Sequence, residues 1–272
     1  MREDELTEAL RNRIWDAVRE VYCGDIEVDS GIDPHDYTYH FDLLSKRLRH
    51  HFFKIPIDQR SYPPFDELEW IRVRYFNLTF PGFYDFLELL ADPLVAGFYR
   101  NQTGFMPDQF TGWCNLIFRE EKTAFRFVKN LVTPITNEEE RMAIGEAAGT
   151  DVAGTHIVQA ITLYSDRAAP DYRNSIKESV SAVEAAYRRL TEEGHKDIKS
   201  AVAAMEKRGI KLPPSLKRGF SAIYGWTSGP DGIRHALMED ARPPDEAEAR
   251  LMLVMCSAYV NYLLSLRGAA SA

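Results

Sequence analysis

Hydrophobic positions recur at helical spacing along most of the chain. Between residues 6 and 21, Leu10, Ile14, Ala17, Val18 and Val21 follow at intervals of three and four, which predicts an amphipathic helix. A polar loop, 24–36, comes next. A second helix is expected from about 39 to 53, ending before Pro56 because the residue ahead of a proline is disfavoured in helical geometry. Three prolines fall in 54–64, and third and fourth helices fit 65–77 and 81–90. The fourth places Phe83, Phe86, Leu87 and Leu90 on one face. Near residue 113 the period changes. Residues 115–118 and 123–135 are aromatic and β-branched, which predicts a small antiparallel hairpin or meander. Lys129-Asn130 is its expected tight turn, Asn tolerating positive φ, and Pro134 closes the pairing.

Thr136-Asn137-Glu138-Glu139-Glu140 has the form of a helix start, a capping side chain followed by acids at the positive end of the helix dipole. From residue 155 on, every pattern is helical. Ile157, Ile161 and Tyr164 mark one helix. Ile176, Val180, Val183, Tyr187 and Leu190 step by four, three, four and three and form the clearest core stripe. Shorter helices follow at 198–207 and 216–224, and a last one at 245–266 is expected to turn Ala247, Leu251, Val254, Ala258 and Tyr262 inward. The small-residue stretch 146–154 suggests a boundary between a domain over 1–150 and one over 151–272. The fold class is mainly α: a helical N-terminal domain with a small β-hairpin, then an α-helical bundle.

Composition narrows the chemistry. With 272 residues, 45% of them hydrophobic, the chain can supply a substantial core. No stretch approaches the 18 or so uninterrupted apolar residues of a bilayer span, so no membrane association and a cytoplasmic location are expected. Cys23, Cys114 and Cys256 are far apart and odd in number, without ligand spacing, so neither disulfide, metal nor cofactor is indicated, and Cys256 reads as core. Thirty-three basic against 41 acidic residues give a net charge of −8, which argues against broad duplex binding. Nucleic-acid contact must then be local. Lys207, Arg208, Lys211, Lys217 and Arg218, in a run without an acid, form the candidate RNA-binding patch, although a solvated charged face is the default reading of such a cluster.

The stretch from Tyr224 to Leu237 carries the densest chemistry. Gly229-Pro230-Asp231-Gly232 reads as a sharp turn in which Asp231 caps a helix presenting Arg234 and His235. His235 would move a proton while Arg234 holds negative charge, as in RNA cleavage or phosphate handling. The simpler reading is an anchored helix N-terminus. The turn lacks the Lys-Ser/Thr of a P-loop, and Ser228 has no Gly-x-Ser-x-Gly elbow, so nucleotide hydrolysis and serine hydrolysis are set aside.

Three segments carry a family likeness: 171–184, beginning Asp171-Tyr172-Arg173-Asn174; 232–237, Gly-Ile-Arg-His-Ala-Leu; and 256–263, beginning Cys256-Ser257-Ala258-Tyr259. They resemble the C-terminal half of bacterial AbiJ-type abortive-infection proteins, which is similar to HEPN (higher eukaryotes and prokaryotes nucleotide-binding) domains. Phe118-Arg119-Glu120-Glu121, Phe125-Arg126-Phe127-Val128 and Pro134-Ile135-Thr136 resemble the N-terminal domain that accompanies that module. The resemblance implies a toxin-like defence effector: a helical bundle, often a homodimer, that in many members cuts RNA without a metal, under a phage-derived trigger or regulatory partner. Those members use an Arg, usually followed by a polar residue, with His four to six residues further on, so that both share a helix face. Here Arg234 immediately precedes His235, and adjacent helical residues face apart. Arg173-Asn174 offers an Arg-polar pair, yet Glu178 stands four residues after Asn174 where a His would be. A composite site of Arg173, Asn174 and His235 is therefore expected if the chain is a nuclease. The alternative is a non-catalytic dimerisation or partner-binding module.

Glu178 and Glu184, six residues apart, lie about 120° from each other on a helix and make no paired-carboxylate site. Glu184 is expected to neutralise Arg234 or Arg173. Arg47, Arg49, His50 and His51 complement a helix C-terminus. His40, His156 and His195 have no partners at ligand spacing, and Asn12, Arg13 and Trp15 read as packing or interface residues.

Overall fold

A computed structural model describes residues 6–23, 34–61, 64–92, 107–192, 198–228 and 242–269. The chain divides into two compact units, Met1–Thr136 and Asn137–Ala272. The first holds α1 (Glu8–Tyr22), α2 (Pro34–Arg47), a π-helical turn Leu48–Phe53, a 3-10 turn Ile57–Gln59, α3 (Pro64–Phe76), α4 (Phe80–Ala91), α5 (Pro107–Glu120), β1 (Arg126–Val128) and β2 (Leu131–Thr133). The second holds α6 (Glu138–Ala147), α7 (Val152–Tyr164), α8 (Tyr172–Thr191), α9 (Ile198–Lys207), α10 (Pro214–Ser228) and α11 (Glu246–Ala269). Eleven α-helices and one two-stranded antiparallel sheet among the described residues make the fold mainly α.

In the first unit α1 buries Leu10, Ile14, Val18 and Val21 and packs against α5. Thr7 caps it, its side chain accepting from the Leu10 N–H. Phe83, Phe86 and Leu87 of α4 are fully buried with Tyr75 of α3. Residues 115–118 are not a strand. Phe110, Cys114, Ile117 and Phe118 recur at i, i+4, i+7 and i+8, all buried, so α5 runs through them despite their β-branched and aromatic composition. The hairpin is where the sequence puts it, with Phe127 opposite Val132 and Lys129-Asn130 as the two-residue turn. The left-handed backbone there falls on Lys129, at φ 55°.

Arg49 and Glu67 form the polar centre of this unit. Both are 1–2% exposed. Arg49 donates from Nε and Nη2 to the two Glu67 oxygens, at 2.7 Å each. Ser45 Oγ and the Ser61 N–H donate to the same carboxylate, at 2.5 and 2.9 Å. Trp70 is held between Arg49 and Arg74, whose guanidinium carbons each lie 3.8 Å from its ring centre. Two guanidinium groups at that distance on one face would overlap, so they occupy opposite faces. Arg49, expected with Arg47, His50 and His51 to complement a helix C-terminus, is thus a buried ion-pair partner. Burial pushes the Glu67 carboxyl up, but the bonds from Arg49, Ser45 and Ser61 outweigh it and hold it below its ordinary value.

In the second unit α8 is the hub. Ile176, Val180, Val183, Tyr187 and Leu190 are all buried, and α7, α9, α10 and α11 pack on it. Each such side chain contributes about 1.5–3 kcal/mol. Ser175 donates to the Ala160 carbonyl of α7 at 2.8 Å, and Tyr187 and Tyr259 share a buried hydrogen bond of 2.7 Å. The start expected at 136–140 is capped by Asn137, whose side chain accepts from the Glu140 N–H. Through α6 the unit extends from Asn137, with Glu140 accepting from Arg250 and Ala143 O accepting from Asn261 on α11. The last helix presents a different face from the one expected. Ala249, Met252, Leu253, Cys256, Tyr259, Val260 and Leu263 are buried, whereas Ala247, Leu251 and Ala258 face solvent. Among the described residues Glu246–Leu266 is the one stretch long and apolar enough to cross a membrane, with mean hydropathy 1.4, and its buried side is the core of this unit.

Gly154 sits where α7 meets the turn before it. A Cβ there would run into the backbone of Gly149. Gly154→Ala is expected to cost about 1–3 kcal/mol, read as a lowered Tm, and an unchanged Tm would contradict this packing. Glu67→Gln is expected to cost about 3–5 kcal/mol at pH 7, since it leaves Arg49 buried without its counter-charge. Because the folded Glu67 carboxyl titrates below the ordinary value of 4.5, the stability it contributes is complete above that value and lost as pH falls through the folded one. Urea unfolding across pH 7 to 3 should show the gap between wild type and variant narrowing, and a constant gap would exclude the charged pair as its origin.

Candidate functional site

α8 carries four of the expected residues, Arg173, Asn174, Glu178 and Glu184, because one side of it is committed to the core and the rest faces outward. Asp171 caps its N-terminus, accepting from the Asn174 N–H at 2.9 Å. The Asn174 side chain donates back to the same carboxylate at 2.6 Å, so Asn174 is exposed and serves the cap. Arg173 beside it is half-buried. Further along, Glu178 and Glu184 diverge as the helical angle requires. Glu184 accepts from the Tyr224 hydroxyl of α10 at 3.0 Å, which joins two of the expected supporting residues. Glu178 turns to α7.

There it meets a residue that spacing along the chain passes over. His156 Nδ1 lies 2.6 Å from Glu178 Oε2, and the two are half-exposed, at 29% and 24% of their side-chain surfaces. The pairing joins positions 22 residues apart, so only the antiparallel contact of α7 and α8 creates it. One signal was available: the i, i+4 pair Val152 and His156 shares a side of α7 that the buried Ile157 and Ile161 do not.

Arg234, His235 and Asp231 lie outside the described residues, as does His195. The pairing of Glu184 with Arg234, and the composite of Arg173 and Asn174 with His235, therefore remain expectations. In the basic patch, Arg208 donates to the Thr191 carbonyl and to Glu192, Lys217 pairs with Glu206 at 2.5 Å, and Arg218 bonds Ser215 at 3.1 Å. Lys207 and Lys211 stand exposed. Three of the five cations are thus engaged within their own unit, and a phosphate chain would meet chiefly the other two.

Among the described residues no group of three His, Cys, Asp or Glu side chains converges. Cys23, Cys114 and Cys256 are buried thiols. Burial pushes Cys23 and Cys256 up to about 12, and Cys114 higher still, which leaves them unreactive packing groups. Arg13, beside Trp15 in the expected packing patch, pairs with Glu120 and Glu121.

A mainly helical chain with one small hairpin, and a second unit arranged around one core helix, is the class the architecture defines. The family model of AbiJ N-terminal domain 4 matches residues 1–150, more than half of the 272 residues, and the chain belongs to that family. No curated protein and no solved structure matches it.

Proposed function

We propose that the protein is an abortive-infection effector of anti-phage defence whose second unit is a HEPN-like, metal-independent endoribonuclease, acting as a homodimer under a phage-derived trigger. Membership of the AbiJ N-terminal family, through residues 1–150, is the single observation that carries the defence role. The ribonuclease role draws on the resemblance of 171–184, 232–237 and 256–263 to HEPN-type modules. The described geometry is compatible with it. α8 is fixed on its core side and capped at Asp171, so Arg173 and Asn174 are held in place at its start. In this reading Arg173 meets a phosphate, and His235 takes the proton of the ribose 2′-hydroxyl as it attacks. Lys207 and Lys211 would steer the RNA.

The second reading is a non-catalytic module for dimerisation or partner binding. It is favoured by the use of Asn174 in the α8 cap and of Arg208 and Lys217 in internal pairs. It leaves α8 a scaffold only.

Expression of wild type and of His235→Ala in bacteria separates the two. The nuclease reading expects bulk RNA loss and growth arrest with wild type, and neither with the variant, which should melt within about 1–2 °C of wild type. RNA intact in both, with the variant melting several degrees lower, would favour the binding module.

A further inference from the structure

The proposed site leaves unused a cationic, ring-bearing surface on the first unit. Residues 42–74 hold seven Lys and Arg against five Asp and Glu, a net charge of +2 in a chain whose total is −8. Glu67 is taken up by Arg49 in the core, Asp42 is shared by Lys46 and Arg60, and Glu69 pairs with Arg72. Asp58 and Asp66 lie in the first turns of the 3-10 segment and of α3. Lys54 is exposed and Arg74 half-buried, and neither side chain makes an ion pair or hydrogen bond among the described residues.

Arg74 is nevertheless held in place. Its guanidinium carbon sits 3.8 Å from the Trp70 ring centre, on the face opposite Arg49, and the attraction between cation and ring fixes it there. With one face on Trp70, Arg74 is left with its other face and its N–H edge for solvent. The π-helical turn alongside is fixed as well. The Lys54 and Ile55 N–H groups both donate to the Arg49 carbonyl, the latter at 2.8 Å, and the Phe53 ring meets Trp70 edge-on with centres 5.3 Å apart. His50 and His51 stand exposed on that turn, their rings edge to face at 4.7 Å.

We infer that this surface binds single-stranded nucleic acid, with Arg74 and Lys54 on backbone phosphates and the His50 and His51 rings against bases. A guanidinium held by a ring keeps the planar fork that phosphate oxygens accept bidentately, and its free face can also take a base. A single strand offers phosphates and unstacked bases together, which is what cations set among rings can engage. A duplex would ask for a broader basic footprint than a chain of net charge −8 supplies. An acidic peptide would satisfy Arg74 and Lys54 but leave the two imidazole rings without a role. The inference does not rest on the ribonuclease reading: it concerns the first unit, and binding there needs no cleavage. It gives the AbiJ N-terminal part of the chain a ligand of its own.

The test uses the full chain and 5′-fluorescein oligodeoxythymidylate, which has no 2′-hydroxyl and so cannot be cut by the route proposed above, with binding read by anisotropy across a salt series. Wild type should bind. Arg74→Ala should raise Kd about tenfold and lower the slope of log Kd against log salt by about 0.7, the share of one phosphate contact in a single strand. Lys54→Ala should lower the slope equally and leave Tm unchanged, so it carries the test if Arg74→Ala melts lower. Arg74→Lys should keep the slope but still raise Kd, since a point charge replaces the fork. The double variant His50→Ala/His51→Ala should raise Kd several-fold with little change in slope, the mark of lost stacking. Binding that survives both Arg74→Ala and Lys54→Ala, or that is lost instead in Lys207→Ala/Lys211→Ala, would overturn the inference. Displacement of the oligonucleotide by poly-glutamate at equal charge would overturn it in favour of an acidic peptide, and no binding by wild type at low salt would overturn it outright.

Discussion

The packed face of α8 is the constraint on which the second unit depends. Five side chains at four-and-three spacing sink into the core and bring α7, α9, α10 and α11 onto a single helix. Once that face is fixed, the angular position of every other α8 residue is fixed as well. Arg173 and Asn174 stand at its capped start, Glu178 looks to α7, Glu184 to α10, and Arg188 and Arg189 to a pocket at the start of α7. The outward surface of α8 is therefore the complement of its hydrophobic stripe. Small residues make the close approach work: Gly154 against Gly149, and Ser175 against Ala160.

The first unit rests on a different device. A bidentate buried pair, Arg49 with Glu67, ties the π-helical turn to α3 and receives two further hydrogen bonds at the carboxylate. Its energetic value lies in completeness, since a buried charge without its partner costs several kcal/mol. Nothing in that cluster is open to a substrate.

What was legible in the sequence follows from how local each signal is. The α8 stripe, the caps at Asn137 and the turn at Lys129-Asn130 are set by neighbours within a few residues, and all three are where local pattern puts them. The face of α11 was not legible because Leu251, Val254, Ala258 and Tyr262 are as apolar as the residues that are buried. Only the partner surface of α8, with Tyr187 bonded to Tyr259, decides between them. Residues 115–118 misled for a related reason: their composition favours strands, while the helical period becomes visible only when Phe110 and Cys114 are counted with them. The pairing of His156 with Glu178 spans two helices, so no spacing along the chain could announce it. The Arg234 and His235 half of the expected site lies outside the described residues.

We propose that this AbiJ-family chain cuts RNA by transesterification without a metal. End-group analysis of RNA incubated with the purified protein in EDTA tests it most directly. The prediction is fragments that end in a 2′,3′-cyclic phosphate and begin with a 5′-hydroxyl. Fragments beginning with a 5′-phosphate, cleavage that requires a divalent ion, or intact RNA would contradict it.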